Sequence, residues 1–248
     1  MSRLLAAALA RRTTTPRKKA ASPPPRALTP PLTPPAAEPR ARTPPRGAVC
    51  AVEGLYERRT YAVTCARVLR AGEAAALVAA AEARGFVPAP LNAEWTDGLS
   101  LRLSASRDMC VVDDDALAAK LFRRVRHLFP PTDDGRVLVG LSERFRFHRY
   151  REGHFFRQHR DAPFRRTSGP RAGEASRATL TIYLTADYQG GRTTLYGVGT
   201  IAAVEPAVGL ALAHAHDLTR EEPAVVAGVK YVLRTDAMYA DPTRGPAG

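Results

Sequence analysis

The chain has 248 residues, of which 45% are hydrophobic, and a formal net charge of +13. That length favours one domain with extensions over two full domains, and no run of about 18 apolar residues exists to form a transmembrane helix. Its three cysteines, Cys50, Cys65 and Cys110, form no Cys-x-x-Cys pair. Neither a disulfide framework nor a zinc site is therefore indicated, and buried thiols in a reducing compartment are expected.

The charge is unevenly distributed. Residues 1–47 hold ten Arg/Lys, a single acid (Glu38) and 11 of the 21 prolines, whereas residues 48–248 carry 27 basic and 23 acidic residues. The basicity thus belongs to a tail, which argues against reading the domain as a nucleic-acid binder. A tail of this composition cannot bury enough apolar surface to offset chain entropy, so disorder or polyproline structure is expected over 1–47. Its opening MSRLLAAALARRTTTPRKK is rich in Arg and Ala, carries hydroxyl residues and lacks acids. Those are features of a transit peptide to mitochondrion or plastid, and the alternative is a basic arm on an intracellular protein.

Ordered sequence is predicted to begin near Tyr56 and to run to Pro242, long enough to bury about 70% of the unfolded chain's surface. Tyr61–Leu69 alternates as a strand. Ala71–Arg84 reads as a helix with Leu77, Val78 and Ala81 on one face and Gly85 as its stop. Asp113–Leu128 is a second predicted helix, with aspartates at its N-terminal end and Leu117, Leu121, Val125 and Leu128 on one stripe. After Gly135 the pattern changes to short runs divided by Gly, Pro and Asp: 137–151, 155–161, 178–185, 192–196, 201–205, 210–216 and 230–239. Seven or eight short strands after two helices predict an all-β core, a sandwich or jelly roll, braced by two supporting N-terminal α-helices.

The chemistry is concentrated at His159-Arg160-Asp161, at the end of a predicted strand. Side chains two apart on a strand share a face, so an imidazole and a carboxylate there can reach one metal ion. Two histidines and one carboxylate on one face of an octahedron would complete a non-haem Fe(II) site with open positions. His-x-Asp alone is a weak signal, for which a salt-bridging surface histidine is the ordinary reading.

Four segments together carry more. They are Arg144–Gly153 (RFRFHRYREG), Phe156–Asp161 (FRQHRD), Leu180–Leu184 (LTIYL) followed by Gly190–Thr194 (GGRTT), and Val225–Tyr239 (VVAGVKYVLRTDAMY). In order and spacing they resemble the prolyl 4-hydroxylase-like branch of the Fe(II)/2-oxoglutarate dioxygenases. That resemblance implies a double-stranded β-helix, His159 and Asp161 as iron ligands, and Lys230 as the cation for the distal carboxylate of 2-oxoglutarate. It further implies that the Tyr183 hydroxyl supports the same carboxylate and that Tyr150 lines the pocket. By the same resemblance the activity would be hydroxylation of a protein or peptide substrate of prolyl type, with Fe(II) and 2-oxoglutarate, and with ascorbate to keep the iron reduced.

One ligand is out of place. The resemblance puts the second histidine ten residues before Lys230, where Arg220 stands. A guanidinium does not deprotonate in proteins and is no Fe(II) ligand. His214 and His216 lie upstream, and an altered loop would be needed to bring His216 to the metal. Three readings stay open: a conventional hydroxylase using His216, a weaker iron site completed by water or by Glu221 or Glu222, and a degenerate oxygenase serving as an anion- or protein-binding module. In the third, Arg220 pairs with Asp161.

Overall fold

The computed structural model describes residues 49–52, 61–89 and 105–242; the tail over 1–47 and the predicted domain start at Tyr56 lie outside them. In chain order the first strands are β1 (Val49–Ala51), β2 (Ala62–Cys65), β3 (Val87–Pro88), β4 (Ala105–Ser106), β5 (Asp108–Asp113), β6 (Thr132–Asp133), β7 (Arg136–Leu141), β8 (Arg144–Tyr150) and β9 (Phe155–His159). They continue with β10 (Ala175–Tyr183), β11 (Gln189–Gly190), β12 (Thr193–Gly197), β13 (Thr200–Val204), β14 (Ala211–Ala215), β15 (Thr219–Glu222), β16 (Val225–Ala227) and β17 (Lys230–Ala240). Helix α1 spans Ala71–Arg84 and α2 spans Asp115–Val125, the latter followed by a 3-10 turn over Arg126–Leu128.

A ten-stranded sheet in the order β1-β2-β14-β10-β17-β8-β5-β3, with β7 also on β17 and β6 on β7, faces a five-stranded sheet in the order β13-β12-β15-β9-β4. The core divides by strand parity. On β10, Leu180 and Ile182 face away from the second sheet and pack with Leu77 and Leu121 of the helices, while Tyr183 packs with Leu195, Leu212 and Val232 between the sheets. Period-2 side-chain direction thus gives the large sheet one face for the helices and one for the interior of the roll. The predicted jelly roll with two supporting helices is the fold observed.

Local signals explain the helices. Asp114 caps α2, its carboxylate accepting from Leu117 N at 2.8 Å, which satisfies one of the orphan N–H groups of the first turn. Gly85 ends α1 at φ +87°. The helices are clamped by Glu73 and Arg124, bonded through both oxygens at 2.7 and 2.8 Å. Cys65 and Cys110 are buried thiols.

Several boundaries differ from expectation. Only 62–65 of the predicted 61–69 strand is extended, and a strand over 49–51 lies ahead of the predicted start. Asp113 belongs to β5 rather than to the second helix. The 137–151 run is two strands broken at Ser142-Glu143, where Ser142 Oγ accepts from Arg144 N at 3.3 Å. Strands β5 and β15 were not expected, because Asp108–Asp113 is bounded by charge and Thr219–Glu222 is polar throughout.

Gly209 joins the roll to the helical layer. It has φ +76°, its carbonyl accepts from Val68 N at 2.9 Å, and a Cβ there would lie 2.0 Å from the Leu69 carbonyl oxygen. Gly209→Ala is expected to cost about 3 kcal/mol, from left-handed strain together with the backbone displacement the new atom forces. Urea unfolding of the variant beside wild type measures this.

Candidate functional site

Strand pairing assembles the site. His159 at the end of β9 lies directly across from Arg220 on β15, so the two side chains are neighbours by register. Asp161 follows two residues later and turns into the roll, where it is 6% exposed. On the opposite sheet Thr179 is flanked by His214 of β14 and Asp236 of β17, and Thr181 by Arg234. Of these, Thr179, His214 and Arg234 meet Asp161.

The Asp161 carboxylate is saturated by protein cations and a hydroxyl. Arg234 Nη2 lies 2.8 Å and Arg220 Nη2 3.2 Å from its Oδ1, Arg220 Nε lies 3.4 Å from Oδ2, and Thr179 Oγ1 donates to Oδ2 at 2.6 Å. Burial alone would raise this carboxyl, but Arg220 and Arg234 overcome it and hold Asp161 well below the usual range. His159 Nε2 is 3.5 Å from Asp161 Oδ1, and His214 Nε2 is 3.8 Å from Oδ2. The His159 ring stacks on Phe156 with centroids 3.6 Å apart, and the Arg107 guanidinium covers Phe156 at 3.9 Å.

Deeper in the roll, Glu222 repeats the pattern. Arg220 Nη1 donates to Glu222 Oε1 at 2.8 Å, the Lys230 ammonium is bonded to Glu222 Oε2, and Thr193 Oγ1 reaches Glu222 at 2.9 Å. Tyr183 OH donates to Thr193 Oγ1 at 2.6 Å, and Lys230 Nζ also donates to the Gly191 carbonyl at 2.7 Å. Nζ lies 5.1 Å from the Tyr150 ring centre and 5.8 Å from that of Tyr183. Burial draws Lys230 below its ordinary pKa against the opposing pull of Glu222. Arg220 is therefore shared between two buried carboxylates, and Lys230 completes the chain Asp161–Arg220–Glu222–Lys230.

The structure brings together His159, Asp161, Arg220, Tyr150, Tyr183 and Lys230 as the sequence places them. His216 stands apart: its Nε2 faces Asp236 Oδ1 at 3.5 Å, and its ring lines a separate cavity. Its backbone is held by Arg177 O and leads into a turn, so the loop slip that would carry it to Asp161 does not occur. Of the two alternative donors, Glu221 points to the other face of β15 and accepts from Tyr196 OH, and Glu222 is bound to Lys230. Sequence reasoning missed Arg234 and Asp236 as site residues, although both share strand parity with Lys230. It placed His214 beside the pocket without its approach to Asp161, which depends on the β10–β14 register.

An Fe(II) site does not fit these residues. Among the described residues no three histidine, cysteine or acidic side chains converge closely enough to hold a metal ion. The position across from His159 carries a permanent cation in contact with the one carboxylate available. The lysine that would receive a dicarboxylate is already neutralised by Glu222.

His214 also makes folding pH-dependent. Burial lowers its pKa to about 4 against the partial opposition of Asp161. A histidine depressed in the folded state contributes stability that is present above about pH 6.5 and lost as pH falls toward 4, on the order of 3 kcal/mol for a shift of this size. Urea unfolding between pH 7 and 4 is expected to show that loss, and His214→Gln to reduce its slope.

No family model and no curated protein matches the sequence. Solved structures do. A viral collagen prolyl hydroxylase from Paramecium Bursaria Chlorella virus-1, in complex with 2OG, aligns at 15% identity and TM-score 0.51 over 72% of this chain and 96% of its own. A Pseudomonas putida prolyl-4-hydroxylase aligns at 18% identity and TM-score 0.52, over 71% and 91%. A 2OG-Fe(II) oxygenase family oxidoreductase from Burkholderia pseudomallei aligns at 15% identity and TM-score 0.52, over 75% and 88%. The jelly roll of this chain has the fold of the 2OG-Fe(II) oxygenases, prolyl hydroxylases among them.

Proposed function

We propose that this domain is a non-hydroxylating member of the oxygenase fold that binds a protein or peptide without using iron. The observation that carries the reading is the Arg220 guanidinium lodged between Asp161 and Glu222 in a buried centre. Asp161 with Arg220 forms an ion pair beside His159, and Glu222 with Lys230 forms another beside Tyr183. Each pair neutralises a group that metal and dicarboxylate would otherwise have to satisfy, so the centre is electrostatically complete by itself. Opening it to a metal would mean displacing a cation bonded to two buried carboxylates. A peptide ligand is supported by the fold's solved relatives, which include a collagen prolyl hydroxylase.

A second reading, an Fe(II)- and 2-oxoglutarate-dependent peptidyl hydroxylase assisted by ascorbate, is favoured by one feature. The buried Nε2 atoms of His159 and His214 both lie near Asp161 and have no hydrogen-bond partner. It requires Arg220 to leave the centre.

Anaerobic titration of the protein with Fe(II) and 2-oxoglutarate, followed by visible absorption, separates the two readings. We expect no charge-transfer band at saturating concentrations. A band that needs both additions would overturn the non-hydroxylating reading.

A further inference from the structure

A cavity of about 250 Å³ opens where the start of β10, the turn after β14, the β6–β7 turn and the end of β17 meet. It is distinct from the Arg220 centre and is lined by Asp133, Asp134, Asp217, Tyr61, His216 and Arg177, among others. Three carboxylates against one guanidinium give this lining a net charge of −2. Arg177 Nε lies 3.7 Å from Asp133 Oδ2, so the single cation is already engaged.

Two polar groups in the wall are left unsatisfied within the fold. The Tyr61 hydroxyl has no hydrogen-bond partner, and neither does Nδ1 of His216, a residue only 6% exposed whose Nε2 faces Asp236. Leaving such groups unsatisfied carries a desolvation cost that a ligand would recover. The His216 tautomer follows from its neighbour. Burial would raise Asp236, but His216, Arg234 and Arg146 hold it charged, with Arg146 bonded at 3.0 Å. Its Oδ1 is 3.5 Å from His216 Nε2. The imidazole proton therefore belongs on Nε2, leaving Nδ1 as an acceptor. Carboxylate oxygens, an acceptor nitrogen and net negative charge favour a ligand rich in donors, while the wall's own donor, Arg177 Nε, has no hydrogen-bond partner and is held against Asp133.

We propose that this cavity binds the guanidinium of an arginine side chain presented by a peptide. Guanidinium has five donors in a planar fork and no acceptor, and it is more weakly hydrated than an ammonium. That matches acceptors spread around a partly desolvated wall better than a single point charge would. Tyr61 and Tyr239 supply aromatic surface for the planar group, and Pro130 and Pro163 supply apolar surface for its aliphatic stem. The volume falls below the roughly 300–1,000 Å³ of pockets for whole small ligands and suits one side chain. Pro163 stands two residues beyond Asp161, so the cavity adjoins the closed centre. The inference rests on the reading of the domain as a peptide-binding module and names the ligand's anchoring side chain.

The test uses the full chain and a small probe, Nα-acetyl-arginine methylamide, with the citrulline counterpart as its neutral isostere. Ring signals of His216 and Tyr61 are followed by NMR during titration. We expect saturable shifts with the arginine derivative, at least tenfold weaker binding in Asp217→Asn, whose side chain is exposed, and no saturation with citrulline. Absence of saturable shifts, equal binding of citrulline, or unchanged affinity in a folded Asp217→Asn/Asp134→Asn variant would each overturn the proposal. Failure here leaves the iron titration untouched, and a charge-transfer band there would overturn the reading of the centre whether or not arginine binds.

Discussion

Arg220→Met is expected to destabilise the domain by about 3–5 kcal/mol, the usual cost of removing one partner from a buried ion pair. Two carboxylates depend on this guanidinium. Asp161 would retain Arg234 at 2.8 Å and the Thr179 hydroxyl, while Glu222 would retain Lys230 and Thr193. Both would lose the cation that joins them, in an interior where Arg220 is only 4% exposed. For a domain of this size each kcal/mol moves the melting temperature by about 2–4 °C, so a drop on the order of 10 °C is expected in a thermal melt. A melt unchanged within 2 °C would show that Arg220 is not structural. Arg220→His is the informative companion. It sets a second imidazole across from His159, and anaerobic equilibrium dialysis is expected to show Fe(II) affinity above that of wild type. No gain would count against the assignment of this position to the missing ligand.

The Glu222–Lys230 pair should behave asymmetrically. Glu222→Gln keeps the shape but leaves the Lys230 ammonium, 0% exposed, with the Gly191 carbonyl and with Arg220 repelling it. A loss of about 3–5 kcal/mol is expected, since an uncompensated charge remains buried. Lys230→Met should cost less, because Glu222 keeps Arg220 at 2.8 Å and Thr193 at 2.9 Å. The double variant should recover most of the Glu222→Gln loss, because no orphaned ammonium is left. Urea unfolding of the four proteins gives the coupling energy directly. Additive losses would mean that the two side chains are not a stabilising pair, and the account of a self-neutralised centre would fail with them.

These experiments bear on how the interior of the roll is held together by its own charges. In the interior, Asp161, Arg220, Glu222 and Lys230 alternate in sign, with Arg234, Asp236 and Arg146 continuing the alternation across the large sheet. Buried ionic chains of this kind are weak evidence for high stability, because desolvation offsets much of the attraction. They are strongly intolerant of single deletions, and that intolerance is what the two variant series measure.

The sequence by itself determined the class of the fold, the two helices and most strands, because period-2 and period-3.6 patterning and capping residues are local signals. Through its resemblance to the prolyl 4-hydroxylase-like oxygenases it also grouped His159, Asp161, Tyr150, Tyr183 and Lys230 as one constellation, and counting back from Lys230 placed Arg220 in it. Only the tertiary structure decided what Arg220 does there. Its contact with Asp161 and Glu222 depends on the β9–β15 register and on the bulge between Arg220 and Glu222. Strand β15 escaped notice because its residues are polar, and nothing local says that Thr-Arg-Glu-Glu will be buried with its charges paired. His214 and His216 are two apart and of equal parity, so the sequence could not separate them. The β10–β14 pairing sends His214 toward Asp161, whereas His216 lies just past the end of β14 against Asp236. Register and sheet closure are long-range properties, and they decide which of two identical imidazoles meets the carboxylate.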